Sequence, residues 1–132
     1  KNLKVVLTGK RRNFIIEELN KNSIPFKYFE MTNYAIMNDL YNILDLYLIT
    51  SRLEGGPQAL VECGQTKTPL ISTDVGIASR ILPPESIFDY KNMDSFNVAA
   101  PNIEFAYNQS SKLSIPNGML GYIDMFKKIN ES

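Results

Sequence analysis

Short β-branched runs alternate with stretches of helical periodicity along most of this chain. Leu3 to Thr8 is a short β-branched run ended by Gly9, with the length and punctuation of a buried strand. Lys10 to Arg12 form a basic connection, and Asn13 to Asn20 then carry Phe14, Ile15 and Leu19 at helical offsets. Pro25 closes the next loop, and Phe26 to Phe29 read as a second strand. Thr32 or Asn33 is placed to cap a helix in which Met37, Leu40, Tyr41 and Leu44 fall at offsets of three, four and seven. Asp45 interrupts that pattern, and Leu46 to Thr50 form a third strand.

Ser51 to Gly56 are a polar, glycine-containing turn. Pro57 suits the first helical position because it has no amide hydrogen to leave unpaired there, and the helix should run to about Thr66. Thr68-Pro69 leads into a fourth strand, Leu70 to Thr73. Asp74, Val75 and Gly76 then turn the chain into a short helix through Ala78 to Leu82, which Pro83-Pro84 stops. Ser86 to Tyr90 is a fifth strand, Asp94 a helix cap, and Pro101 should kink or divide the helix that follows. After a Ser-rich loop, Met119, Ile123 and Phe126 mark a last helix, with Tyr122 and Ile129 beside them. Strands alternating with helices through short loops predict an α/β fold, a parallel sheet with helices on both faces. Ligands of such sheets bind at the carboxyl ends of the strands, which directs attention to the loop after the third strand.

The 132 residues amount to one domain, and a 44% hydrophobic content is enough for a core. Lys plus Arg equals Asp plus Glu at 14 each, which argues against non-specific nucleic-acid binding. Histidine is absent, so His-dependent triads, His-ligated metals and the commonest general base are excluded within this chain. Cys63 is the only cysteine, so no internal disulfide forms and a reducing, cytoplasmic setting fits. No apolar run approaches the ~20 residues that span a bilayer. The chain opens at Lys1 without a Met and reads as an excised or processed piece.

The informative stretch is Ser51-Arg-Leu-Glu54-Gly55-Gly56-Pro57-Gln58-Ala59-Leu60-Val61-Glu62. Gly55 and Gly56 leave the backbone open to close approach, and the first turn of the next helix offers N–H groups without partners, together an anion site suited to phosphate. The helix dipole adds ~0.3–1 kcal/mol for an exposed anion, and each charge-assisted hydrogen bond about 1.5–3 kcal/mol. Glu54 and Glu62 would be repelled by a diphosphate but suit hydroxyl groups as strong acceptors. One at either end of a phosphate site could each take one sugar of a nucleoside-diphosphate-sugar.

That segment resembles the signature of the large retaining glycosyltransferase family built from two Rossmann-like domains, the group 1 transferases of GT-B architecture. Their pattern is a Glu, seven residues and a second Glu, with glycines just after the first; Glu54, Gly55-Gly56-Pro57 and Glu62 match it. Asp45 to Arg52 resembles the family's strand into the motif, Thr68 to Gly76 the next strand and turn, and Leu3 to Gly9 an earlier strand ending in glycine. The likeness extends from about residue 3 to 90.

The resemblance implies that Glu54 contacts the donor sugar as the catalytic carboxylate. Gly55, Gly56 and Pro57 would face the diphosphate, Glu62 would hold the ribose hydroxyls, and Met31 or Thr32 would meet the nucleobase. It implies a UDP-sugar or GDP-sugar donor, no cofactor and no metal, and transfer of a hexose to an acceptor hydroxyl with retention of configuration. It also implies an N-terminal Rossmann-like partner domain, an acceptor sugar or lipid-linked sugar, and a cytoplasmic or membrane-peripheral parent protein. The family's first strand, with its Arg and Lys, and the acceptor-binding half have no counterpart in this sequence. A chain of this kind should bind donor weakly and transfer nothing alone. Gln65, Lys67 and Thr68 stand where the family has small residues and glycine.

Plainer roles stand beside these. Glu54 fits a helix-start carboxylate favoured by the dipole, Glu62 a solvated helix residue, and Gly55-Gly56 a tight turn. Arg52 suits a surface or salt-bridging role, Lys10 to Arg12 a solvated loop, and Cys63 a small buried side chain. Asp45, Asp74 and Gly76 should fix turns, and Met37, Tyr41 and Tyr122 should be core. The competing functions are a two-domain epimerase or phosphorylase-like enzyme and a non-catalytic Rossmann-like interaction module. An epimerase would be expected to place a histidine in this half.

Overall fold

The β-branched runs become strands, and among the described residues every strand pair is parallel. The computed structural model describes residues 3–92 and 101–131, so Asp94 as a helix cap falls outside the described residues. The chain divides into two compact units, Lys1–Asp39 and Leu40–Ser132.

In the first unit β1 (Val5–Thr8) pairs in parallel with β2 (Phe26–Phe29), Val5 opposite Phe26 and Thr8 opposite Phe29, and α1 (Asn13–Lys21) connects them. Gly9 takes φ 84°, which lets the chain turn sharply out of β1. The Tyr28 hydroxyl donates to the Gly9 carbonyl at 3.0 Å, and Arg12 Nε donates to the Thr8 carbonyl at 2.9 Å. Among the described residues of this unit none is fully buried. Helix α2 (Tyr34–Ile43) spans the division between the units. Of the two expected caps, Asn33 is the one used: its Oδ1 accepts the Ile36 N–H at 2.9 Å.

The second unit holds the core. Its sheet has the order β3 (Tyr47–Ile49), β4 (Leu70–Thr73), β5 (Ile87–Phe88). The described strands thus form two parallel sheets, of two and three strands, rather than a single one. All four residues of β4 are buried, as a central strand in a parallel sheet requires. Helix α3 (Gln58–Thr66) follows β3, α4 (Ala78–Ile81) follows β4, and Leu82 and Pro83 then run extended. A 3-10 turn at Pro84–Ser86 takes the start of the expected fifth strand, leaving β5 only two residues. Beyond Pro101, α5 (Ile103–Ser111) begins with Asn102, whose side chain accepts the Phe105 N–H at 3.0 Å. The last helix is α6 (Leu120–Asn130).

Leu60, Cys63, Leu70, Ile71, Val75, Ala78, Ile81, Leu82 and Ala106 make the buried centre. Helices α3 and α5 approach closely because Gly64 has no side chain. A Cβ there would lie 2.7 Å from Ser110 Cβ and 3.1 Å from the Ala106 carbonyl oxygen. Gln65 Nε2 donates to Ser110 Oγ at 2.8 Å and to Ser111 Oγ at 3.1 Å, tying the same helices along their edge. The expected core side chains divide. Tyr41 is 5% exposed, Met37 is half-buried, and Tyr122 on α6 is 59% exposed. Met119, Ile123 and Phe126 of the predicted last helix are exposed as well, so its apolar spacing marks the helix without marking the core.

Two outcomes follow. Gly64→Ala should destabilise the fold by ~1–3 kcal/mol through overpacking, read as a lowered urea midpoint; an unchanged midpoint would contradict the α3–α5 contact described. Burial pushes the Cys63 thiol well above its ordinary value. In the unfolded chain a thiol ionises near pH ~8.5, so stability is intact below that and falls as pH rises further, because the unfolded chain loses its proton first. Cys63→Ala should flatten part of this alkaline decline in urea midpoints, and an unchanged decline would count against it.

Candidate functional site

The predicted segment leaves β3 and enters α3. Glu54, Gly55 and Gly56 are exposed, whereas Pro57 is buried. Pro57 is the residue before the helix, not its first position: its ψ of 121° is extended, and the helix begins at Gln58. The reason is local. The Pro57 carbonyl already accepts the Leu60 N–H at 3.0 Å, and the ring's fixed φ of −59° serves the cap as well as it would the first turn. Gln58 and Ala59 therefore open the helix, where no carbonyl lies one turn back to receive their N–H groups.

A Cβ at Gly55 or Gly56 would meet nothing within 4 Å, and neither glycine has a positive φ. The fold does not itself demand glycine there, so what the two residues provide is open backbone in front of α3. Their placement is set from behind. Gly76, at φ 56°, sits so close that a Cβ on it would be 2.7 Å from Gly56 Cα and 2.8 Å from the Gly55 carbonyl carbon. The turn after β4 thus braces the loop after β3. Thr73 Oγ1 donates to the Ser51 carbonyl at 2.6 Å and ties the same two strand ends.

Glu62 is half-buried on α3, and its Oε2 accepts a hydrogen bond from the Tyr41 hydroxyl at 2.6 Å. Tyr41 is itself held: its backbone carbonyl accepts the Thr68 hydroxyl at 2.8 Å, and its ring lies 5.6 Å from that of Tyr47. Burial first, then the bond to Glu62, pushes the Tyr41 hydroxyl far above its ordinary value, so it stays protonated and donating. Tyr41 was expected to be core, and it is, but its phenol also anchors the second carboxylate. Sequence spacing cannot show a bond across 21 residues, although a Tyr on the buried face of α2 with a hydroxyl to satisfy was a usable signal.

Met31 is exposed and Thr32 half-buried, both after β2 in the first unit. Arg52 is exposed, as a surface residue was expected to be, and rests over the Tyr90 ring at 5.6 Å. Cys63 is fully buried, with its thiol protonated. Among the described residues no group of three or more His, Cys, Asp or Glu stands where it could hold a metal ion, and no helix is long and apolar enough to cross a membrane. No protein-family model matches the chain, and no curated protein matches its sequence.

Removing the Tyr41 hydroxyl in Tyr41→Phe should cost about 1–2 kcal/mol of stability, since the bond goes to a carboxylate. In the double variant with Glu62→Gln the two losses should be less than additive. Additive losses in a double-mutant cycle would mean the pair is not coupled.

Proposed function

We propose that this chain carries the donor site of a retaining glycosyltransferase, taking a nucleoside-diphosphate-sugar with UDP or GDP as the nucleotide. The observation that carries this reading is the start of α3: helix amides at Gln58 and Ala59 lie behind the open Gly55–Gly56 backbone, with Glu62 anchored by Tyr41 further along the same helix.

In this reading the diphosphate lies against Gly55, Gly56 and the first turn of α3, where oriented N–H groups and the helix dipole favour negative charge. Those groups are fixed before substrate arrives, and they stabilise the charge that grows on the departing nucleoside diphosphate as the glycosidic bond breaks. Tyr41 occupies Oε2 of Glu62. The second carboxylate oxygen is the acceptor for ribose hydroxyls, and its orientation is set by the buried phenol. Glu54, exposed ahead of the glycines, accepts from hydroxyls of the transferred hexose. The acceptor is held by a second Rossmann-like domain of the parent protein, and the cations for the diphosphate come from the strand and loop that open the donor domain in the family this segment resembles. The parent is a cytoplasmic or membrane-peripheral enzyme.

Titration calorimetry with UDP, GDP, UDP-glucose and GDP-mannose tests this. At least one should bind in the millimolar range or tighter, and Glu62→Ala should weaken it about tenfold, which is ~1.4 kcal/mol. Folded protein that gives no binding heat with any of the four would overturn the proposal.

A further inference from the structure

A cavity of about 210 Å³ opens beyond the carboxyl ends of β4 and β5, lined by Arg52, Thr73, Asp74, Val75, Ile87, Phe88, Asp89 and Tyr90. Neither Glu54 nor Glu62 nor the glycine loop is among its lining residues. Its position is still the one where parallel sheets present ligands, past the last residues of their strands.

The walls are held in place by local chemistry. Arg52 lies over the Tyr90 ring at 5.6 Å, which steadies a long side chain and leaves its N–H fork for acceptors in its own plane. Asp89 Oδ1 accepts the Lys91 N–H at 2.8 Å, and the Asp89 carbonyl accepts the Asn92 N–H at 3.0 Å, closing a turn beside the cavity. Asp74 is set by the tight turn in which the Val75 N–H donates to the Thr73 carbonyl at 2.9 Å.

The charges select the ligand. The lining carries one guanidinium and two carboxylates, and Lys91 Nζ lies 5.8 Å from the ring of Tyr90. A phosphate would meet Asp74 and Asp89, and an amine would meet Arg52. Hydroxyl groups satisfy both, donating to carboxylates and accepting from the guanidinium. Val75, Ile87 and Phe88 supply an apolar wall for ring C–H groups. The cavity is smaller than the ~300 Å³ at which drug-sized sites begin and has room for about one sugar ring.

We propose that this cleft binds a single uncharged pyranose, as a carbohydrate site in its own right that does not rest on the nucleotide site at α3. The test is amide and saturation-transfer NMR on the whole chain, titrated separately with methyl α-D-glucopyranoside, methyl α-D-mannopyranoside and methyl β-D-galactopyranoside. At least one should give saturable shifts at Arg52, Asp74, Asp89 and Tyr90, undiminished by saturating UDP or GDP. Arg52→Gln and Asp89→Asn, both exposed positions whose folding the same spectra report, should each weaken it about fivefold. No saturable shift with any of the three glycosides overturns the proposal. So do shifts that survive both substitutions, or inorganic phosphate binding there more tightly than the glycosides.

Discussion

Everything in the second unit depends on how tightly α3 is seated. Leu60, Cys63 and Gly64 are buried along one face, and the missing side chain at Gly64 allows α5 to come within reach of Ser110 and Ala106. A helix seated this closely has a fixed axis, because interiors packed at crystal-like density cannot absorb even a methyl group without strain. Two consequences follow at its exposed parts. Its first amides stay aligned behind the Gly55–Gly56 loop, and Glu62 stays within 2.6 Å of the Tyr41 hydroxyl. The contact between Gly76 and the glycine loop fixes the remaining element from the other side.

The end of α3 shows how the same sequence answers a different local demand. Lys67 takes the left-handed conformation, φ 56°, where glycine is the usual choice, and its N–H and that of Thr68 bond back to the Gly64 and Cys63 carbonyls. The lysine is not idle there. Its Nζ pairs with Glu104 at 2.8 Å and lies 4.6 Å from the Tyr107 ring, so contacts to α5 offset part of the backbone cost that glycine would have avoided. Lysine at a position that favours glycine thus has a physical account within this chain.

Strands were the most legible part of the sequence. β2 and β4 occupy the residues their β-branched and aromatic runs predict, since Pro25 and Pro69 punctuate them from one side and polar residues from the other. Caps settled the helix starts: Asn33, one of the two expected residues, caps its helix, whereas at Pro57 the helix begins one residue later than expected. The division into two sheets was not legible, because strand pairing is a long-range choice that local pattern does not encode. Nor was the exposure of α6: apolar spacing reports that a helix has a hydrophobic face, not what covers it. At the candidate site, the acids and glycines were visible as a motif. The Tyr41–Glu62 bond, the Gly76 brace and the Arg52–Tyr90 stack were not, because each joins segments far apart in the chain.

The most direct measurement is residue-resolved amide NMR of the labelled chain during titration with UDP and GDP. The account predicts that at least one nucleotide shifts Gly55, Gly56, Gln58 and Ala59 first and furthest, as phosphate oxygens approach their N–H groups. Shifts confined to other parts of the chain, with these four amides unmoved at saturation, would contradict it.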